Sequence, residues 1–272
     1  MRARKAIFAA VALLFMVIAP AGAQAPQQTA ETTADKPEQS AMPRLADGHP
    51  NLQGIWHNEV GAAALKKAGP FGDYHSPGVP LPYPYLPIAQ KIKDYRFAHD
   101  LYGDPEAHCH LPGVPREIEQ PSGIFPFKII QDEKYVVILF EYTHDVRIIP
   151  EDASPHPSHY AAWDGDSRGH WDGDTLVVDV ANFNGRTWLD MDANFVDENE
   201  HVVERYTMTG PDSITLEATV EDATVFSRPW TMHLTLKRNP AKEHLVEYDC
   251  HEGERDVDHY LQSEGNPSGK HE

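Results

Sequence analysis

Residues 201–238 read HVVERYTMTGPDSITLEATVEDATVFSRPWTMHLTLKR, and three runs within them alternate apolar and polar side chains. Ile214, Leu216, Ala218 and Val220 share one side of an extended chain, and Thr215, Glu217, Thr219 and Glu221 share the other. Trp230, Met232, Leu234 and Leu236 alternate in the same way with Thr231, His233, Thr235 and Lys237. Side chains in a strand point to opposite faces in turn, so each run predicts a strand with one dry and one wet face. His233 falls on the wet face and is set aside as a ligand. The run at 201–208 places a charge on each face: Glu204 lies with Val202, Tyr206 and Met208, and Arg205 lies with Val203. One of these charges points into the core, where it needs a partner.

The rest of the chain extends this pattern. FKIIQDEKYVVILFEYTHDVRII predicts two or three strands broken near Asp132 and His144-Asp145, and DTLVVDVANF predicts another. Gly54-Ile55-Trp56 opens the ordered part, and HLVEYDC at 244–250 reads as a last strand. Helical signals are few. One covers 86–102, with Ile88, Ile92, Tyr95 and Leu101 on one stripe and Gly103 and Pro105 ending it. Short strands with turn signals about every ten residues and no alternating helices predict a mainly β fold. We expect a single antiparallel meander closing into a barrel, with a β-sandwich as the alternative.

The N-terminus MRARK-AIFAAVALLFMVIA-PAGAQ has a basic start, a short apolar core and the small-residue site Ala21-Gly22-Ala23. It reads as a secretory signal over 1–23, exported without lipidation. Residues 24–42 lack aromatics and read as a disordered leader, 43–262 as the β-barrel domain and 263–272 as a disordered tail. The formal net charge is −19. Loss of Arg2, Arg4 and Lys5 with the signal makes it more negative still. Such a charge argues against nucleic acid, and against a membrane surface after signal cleavage. It favours a cationic or neutral small-molecule ligand. In a periplasmic or secreted protein, the two cysteines, Cys109 and Cys250, predict one disulfide.

Trp-Asp-Gly-Asp occurs twice, at 163–166 and 171–174. The second copy joins SRGHW to TLVVDVANF, and Asp-Gly there is a hairpin signal. A calcium loop fits poorly, because Arg168 and Thr175 would occupy ligand positions. In the first copy Asp166 and Arg168 share a face in an extended segment. That gives either a surface ion pair or a polar cluster flanked by two indoles. Several stretches resemble an uncharacterised family of exported bacterial proteins: PRLADGHPNLQGIW, DPEAHCHLPGVPR, the run from Gly165 to Asp190, HVVERYT, FSRPWT and EYDCHEGERDVDH. The Gly-x-Trp start followed by a meander is also similar to the lipocalin-type barrel. These resemblances imply the fold and export and carry no activity with them.

Three constellations are candidates for chemistry. His108 and His110 flank Cys109, and a disulfide to Cys250 would bring His251 nearby, with Glu252 as a further ligand. That set would suit zinc or copper, against the plainer reading of solvated loop histidines. His144, Asp145, Arg147, His156 and His159, with Asp166 and Arg168, offer acid–base pairs and a cation. We take His156, Asp166, Arg168 and Glu204 as the catalytic candidates. Trp163, Trp171, Asn184, Arg186, Trp188, Tyr206 and Trp230 are the ligand-binding candidates, since amides beside indoles suit a hydroxylated or aromatic ring. Turn chemistry at Asn184-Gly185 explains part of that group equally well. No nucleophile elbow, phosphate loop or dinucleotide fingerprint is present. The expectation is an exported barrel that binds a small organic molecule. Acid–base chemistry on that molecule without a cofactor, as an isomerase or lyase, is the catalytic form of this expectation. A periplasmic metal-binding protein and a structural or interaction domain are the alternatives.

Overall fold

A computed structural model describes residues 42–59, 78–119, 125–240, 242 and 244–250. The expected signal and tail, and His251, lie outside them. Nine strands form one antiparallel sheet that curls into a nearly closed barrel: β1 Gly54–Asn58, β2 Phe127–Gln131, β3 Tyr135–Phe140, β4 Val146–Pro150, β5 Asp166–Asp172, β6 Thr175–Ala181, β7 His201–Gly210, β8 Ser213–Glu221 and β9 Trp230–Arg238. The order across the sheet is β4-β3-β2-β1-β9-β8-β7-β6-β5. First and last strands pair, Trp56 opposite Arg238, and the break in the barrel falls in mid-chain between β4 and β5. This is the expected single antiparallel meander, closed by the pairing of its first and last strands.

The alternation read from β7, β8 and β9 is the observed one. Ile214, Leu216, Ala218, Val220, Trp230, Met232, Leu234 and Leu236 line the core with Val202, Tyr206 and Met208. His233 faces out beside Glu217, at 3.2 Å. Two expectations fail. Residues 244–250 form no strand; they run past the end of β3, where Val246 N–H and Lys242 Nζ both donate to Glu141 Oε2, at 2.8 and 2.6 Å. A helix, α1, does form over Pro87–His99, but its apolar stripe is not buried: Ile88 is 63% and Tyr95 66% exposed, and Ala89 is its buried residue. Side-chain spacing set the helix there, while its packing is made by other groups. The Cys109–Cys250 disulfide is present, with Cα atoms 5.7 Å apart.

An odd number of strands with every neighbouring pair antiparallel leaves β4 and β5 running in the same direction across the break. The chain needs the long connection 151–165 to return from the end of one to the start of the other. Side chains close this seam. Gly169 on β5 leaves room for β4: a Cβ there would lie 2.9 Å from Ile149 Cγ2 and 3.4 Å from the Pro150 carbonyl. Arg147 of β4 points inward. Its Nε donates to Ser167 Oγ on β5 at 2.9 Å, and its two terminal nitrogens donate to Glu204 Oε1 and Oε2 on β7 at 3.1 and 2.6 Å. Glu204 is the inward charge of the 201–208 run, fully buried at 0% exposure, and Arg147 at 4% is the partner it required.

Removing one member of a buried ion pair strands the other, at a cost of about 3–5 kcal/mol, whereas an apolar replacement of both is far better tolerated. Arg147→Met should therefore lower stability by about that amount in urea unfolding. Arg147→Met combined with Glu204→Leu should recover most of it. Equal losses in the single and double variants would show that the pair does not hold the seam.

Candidate functional site

The barrel end that carries the starts of β4 and β5 is filled by a single helical turn, α2, at Arg116–Glu119, and by the loops around it. Asn58 Nδ2, at the end of β1, donates to the Glu119 carbonyl at 3.2 Å and fixes α2 in this mouth. Arg116 is buried and donates to both Asp104 oxygens at 2.8 Å, and it also contacts Glu106. Burial alone would lower the pKa of this guanidinium; Glu106 and Asp104 instead hold it above its ordinary value. This ion cluster and the disulfide pin the 104–110 loop from both sides.

A cleft of about 440 Å³ opens on the outer side of this plug. Its walls include Arg96, Asp100, His108, His110, Trp163, Arg186, Thr187 and Trp188. The His110 ring stacks on Trp163, with centroids 4.8 Å apart and planes 14° apart. The Arg96 guanidinium lies over Phe195 at 4.5 Å and Trp188 at 5.6 Å. Arg186 is exposed at the rim. Thr187 is buried in the cleft wall, and its hydroxyl has no hydrogen-bond partner. A buried hydroxyl of this kind costs free energy unless a ligand or water satisfies it.

On the inner side of the plug lies a second group. Glu117, Asp145 and Asp164 each bring a carboxylate oxygen within 4.8 Å of the others. Glu117 is 2% exposed and neither of its oxygens has a partner. Burial raises the pKa of Glu117, and the charges of Asp164 and Asp145 raise it further, with Arg147 opposing. Burial and then the Asp145 charge push Asp164 up to about 8.

The predicted residues divide among these places. Trp163, Arg186 and Trp188 meet in the cleft, together with His108 and His110. Asn184 instead makes the turn, accepting from Arg186 N–H at 3.0 Å. Trp171 stacks on His49 at 4.5 Å and donates to Glu151 at 2.6 Å, at the opposite end of the barrel. Tyr206 and Trp230 belong to the barrel core. His156, Asp166 and Arg168 do gather: Asp166 Oδ2 accepts from Arg168 Nε and pairs with His156 Nδ1, both at 2.7 Å. They sit on the outer side of β5, across the sheet from Glu204, so the four catalytic candidates form no single constellation. His108 Nε2 is bound to the Tyr102 carbonyl at 2.8 Å. The third histidine of the expected metal set, His251, lies outside the described residues.

Glu117, Asp164, Arg96 and Thr187 were not singled out from the sequence. Asp164 carried one signal, as the first acid of the first Trp-Asp-Gly-Asp. Parity along an extended chain would place it with Asp166, on the outside. Gly165 breaks that parity with φ +66°, and a Cβ there would lie 2.6 Å from the Ala181 carbonyl. Asp164 is thereby turned in while Asp166 is turned out. The second copy has no such role: Asp172 ends β5 opposite Thr175, with Gly173-Asp174 as the two-residue loop, and pairs with exposed Arg205 at 2.9 Å.

No known family model matches the chain, and no curated protein is significantly similar to it.

The raised Asp164 pKa has a definite sign in stability. An aspartate in the unfolded chain ionises near pH 4, whereas in the folded protein Asp164 holds its proton until about pH 8. The unfolded state alone loses its proton in that window, so this group's contribution is complete below about pH 4 and is lost as pH rises to about 8. In chelator-containing buffer, urea unfolding at pH 5 and pH 8 should show a decline on the order of a few kcal/mol that is smaller in Asp164→Asn, with buried Glu117 contributing the same sign in both proteins. Identical pH slopes in the two proteins would contradict the assignment.

Proposed function

We propose that this protein is an exported binder of a small, ring-bearing organic anion, held in the cleft beside the barrel mouth. The observation that carries the reading is the convergence of Arg96 and Arg186 with the Trp163 and Trp188 indoles and the unpartnered Thr187 hydroxyl. Two guanidiniums face one lining acid, Asp100. Guanidinium pairs with carboxylate through paired hydrogen bonds, and indole faces accept an aromatic or sugar ring.

The chain's negative charge favoured a cationic or neutral ligand. Exposed charges act over a Debye length of about 8–10 Å, so the local arginines govern what enters this cleft. The disulfide supports an oxidising compartment, and the N-terminal sequence pattern supports a periplasmic or secreted protein. Among the described residues no helix is long and apolar enough to cross a membrane. The cleft presents groups for holding a ligand. The acid–base set of His156, Asp166 and Arg168 is bonded within itself on the outer side of β5 and does not line it.

The test is calorimetric titration with 4-hydroxybenzoate and glucuronate beside their neutral counterparts, phenol and glucose. At least one anion should bind, and its neutral counterpart should bind much more weakly. Losing a charged hydrogen-bond donor costs about 1.5–3 kcal/mol, so Arg186→Ala should weaken binding roughly ten- to a hundredfold. As a rim residue it should change stability by less than about 0.5 kcal/mol. Equal affinity for anion and neutral analogue, or an Arg186→Ala protein with unchanged affinity, would refute the reading.

A further inference from the structure

We propose that Glu117, Asp145 and Asp164 form a binding site for one calcium-sized divalent cation inside the plugged mouth of the barrel. Asp145 and Asp164 lie just before β4 and β5, the two strands that flank the seam, and both keep some contact with solvent. A pair of acids there would be unremarkable without the third group. Glu117 comes independently, from α2, and is delivered into the barrel at 2% exposure with both oxygens unpartnered. A carboxylate is an acceptor only, and a buried one without a donor is costly unless a cation or proton satisfies it.

The cation already present does not do so. Arg147 donates to Glu204 and Ser167 and makes no hydrogen bond to Glu117. Ionised, Glu117, Asp145, Asp164 and Glu204 carry four negative charges against the single positive charge of Arg147. A divalent ion removes most of that excess. The donor set is all oxygen, which suits a hard cation and not copper or zinc, whose preferred ligands are nitrogen and sulfur.

The ligand atoms lie no more than 4.8 Å from one another, a span that oxygens around one calcium ion, at about 2.3–2.6 Å each, can cover. Calcium accepts irregular carboxylate shells, whereas magnesium demands near-ideal octahedral geometry and gives up its waters reluctantly, so three side chains fixed by α2 and by the starts of two strands favour calcium. The partial exposure of Asp145 and Asp164 gives the ion a path in and leaves room for the waters that complete a shell of six to eight oxygens. The site is independent of the anion cleft and stands or falls without it.

Calcium titration of the chelator-treated full-length protein by calorimetry tests this, with terbium as a luminescent probe. Trp163, next to Asp164, is the antenna for terbium emission. One calcium should bind per chain and raise the melting temperature, with magnesium at least tenfold weaker. Glu117→Gln and Asp164→Asn should each weaken calcium binding at least a hundredfold and abolish saturable terbium emission. Asp172→Asn, in the exposed hairpin, should bind as the wild type does. Calcium-free Glu117→Gln should melt no lower than the calcium-free wild type, since it exchanges an unpartnered charge for a neutral amide. If that variant does not fold, Asp164→Asn decides. Wild-type protein that takes up no calcium at millimolar concentration would overturn the proposal. So would binding that persists in the folded Asp164→Asn variant, or magnesium bound more tightly than calcium.

Discussion

The ion pair between Arg147 and Glu204 is the contact on which the barrel's closure rests. Backbone hydrogen bonds cannot zip β4 to β5, because nine strands in alternating directions leave these two edges parallel and unpaired. Arg147 reaches from β4 to Ser167 on β5 and to Glu204 on β7, so one guanidinium ties three strands across the break. Burial by itself would lower the pKa of this guanidinium; the Glu204 charge and hydrogen bonds hold it above the ordinary value instead. A barrel interior is ordinarily a place for apolar side chains, and below this layer Ile149, Leu176 and Leu216 fill it. The seam makes one end polar.

That polar end explains why the chemistry gathers there. A plug made of α2 and the 104–110 loop is held by its own buried ions, Arg116 with Asp104 and Glu106, and by the disulfide. The outer surface of the plug carries arginines and indoles. Its inner surface carries carboxylates against the Arg147 layer. Two groups of opposite charge, arginines on one side and carboxylates on the other, thus share one scaffold, separated by little more than the step from Trp163 to Asp164. Rigid support of this kind is what keeps a binding geometry from relaxing when the ligand is absent.

The duplicated Trp-Asp-Gly-Asp shows how far sequence carries. Its two copies are identical in composition, and the difference between them was legible only in part. Hairpin chemistry accounted for the second copy, as the structure has it. For the first, the expectation that it does more than turn was carried by Asp166 and Arg168, whereas the inward residue is Asp164. The cause is one backbone angle at Gly165, which a period-two reading cannot see. The acid–base cluster of His156, Asp166 and Arg168 does assemble. Shared parity does not say which side of the sheet is the inside, and here it is the outer side.

Strand periodicity, turn residues and the Cys count by themselves determined the β architecture, the dry faces of β8 and β9, the disulfide, and that one charge of the 201–208 run, Glu204 or Arg205, needs a buried partner. These are local properties or forced pairings, and the chain carries them wherever it goes. Only the tertiary structure decided that the partner is Arg147, that the barrel breaks in mid-chain, that 244–250 is no strand and that the apolar stripe of α1 faces out. It alone placed Glu117 beside Asp145 and Asp164, and Arg96 beside Arg186. Those meetings join residues far apart along the chain, through barrel closure and the docking of a plug. Whether an acid is solvated or stranded depends on that docking, because desolvation is set by what packs around a group and not by its neighbours in sequence.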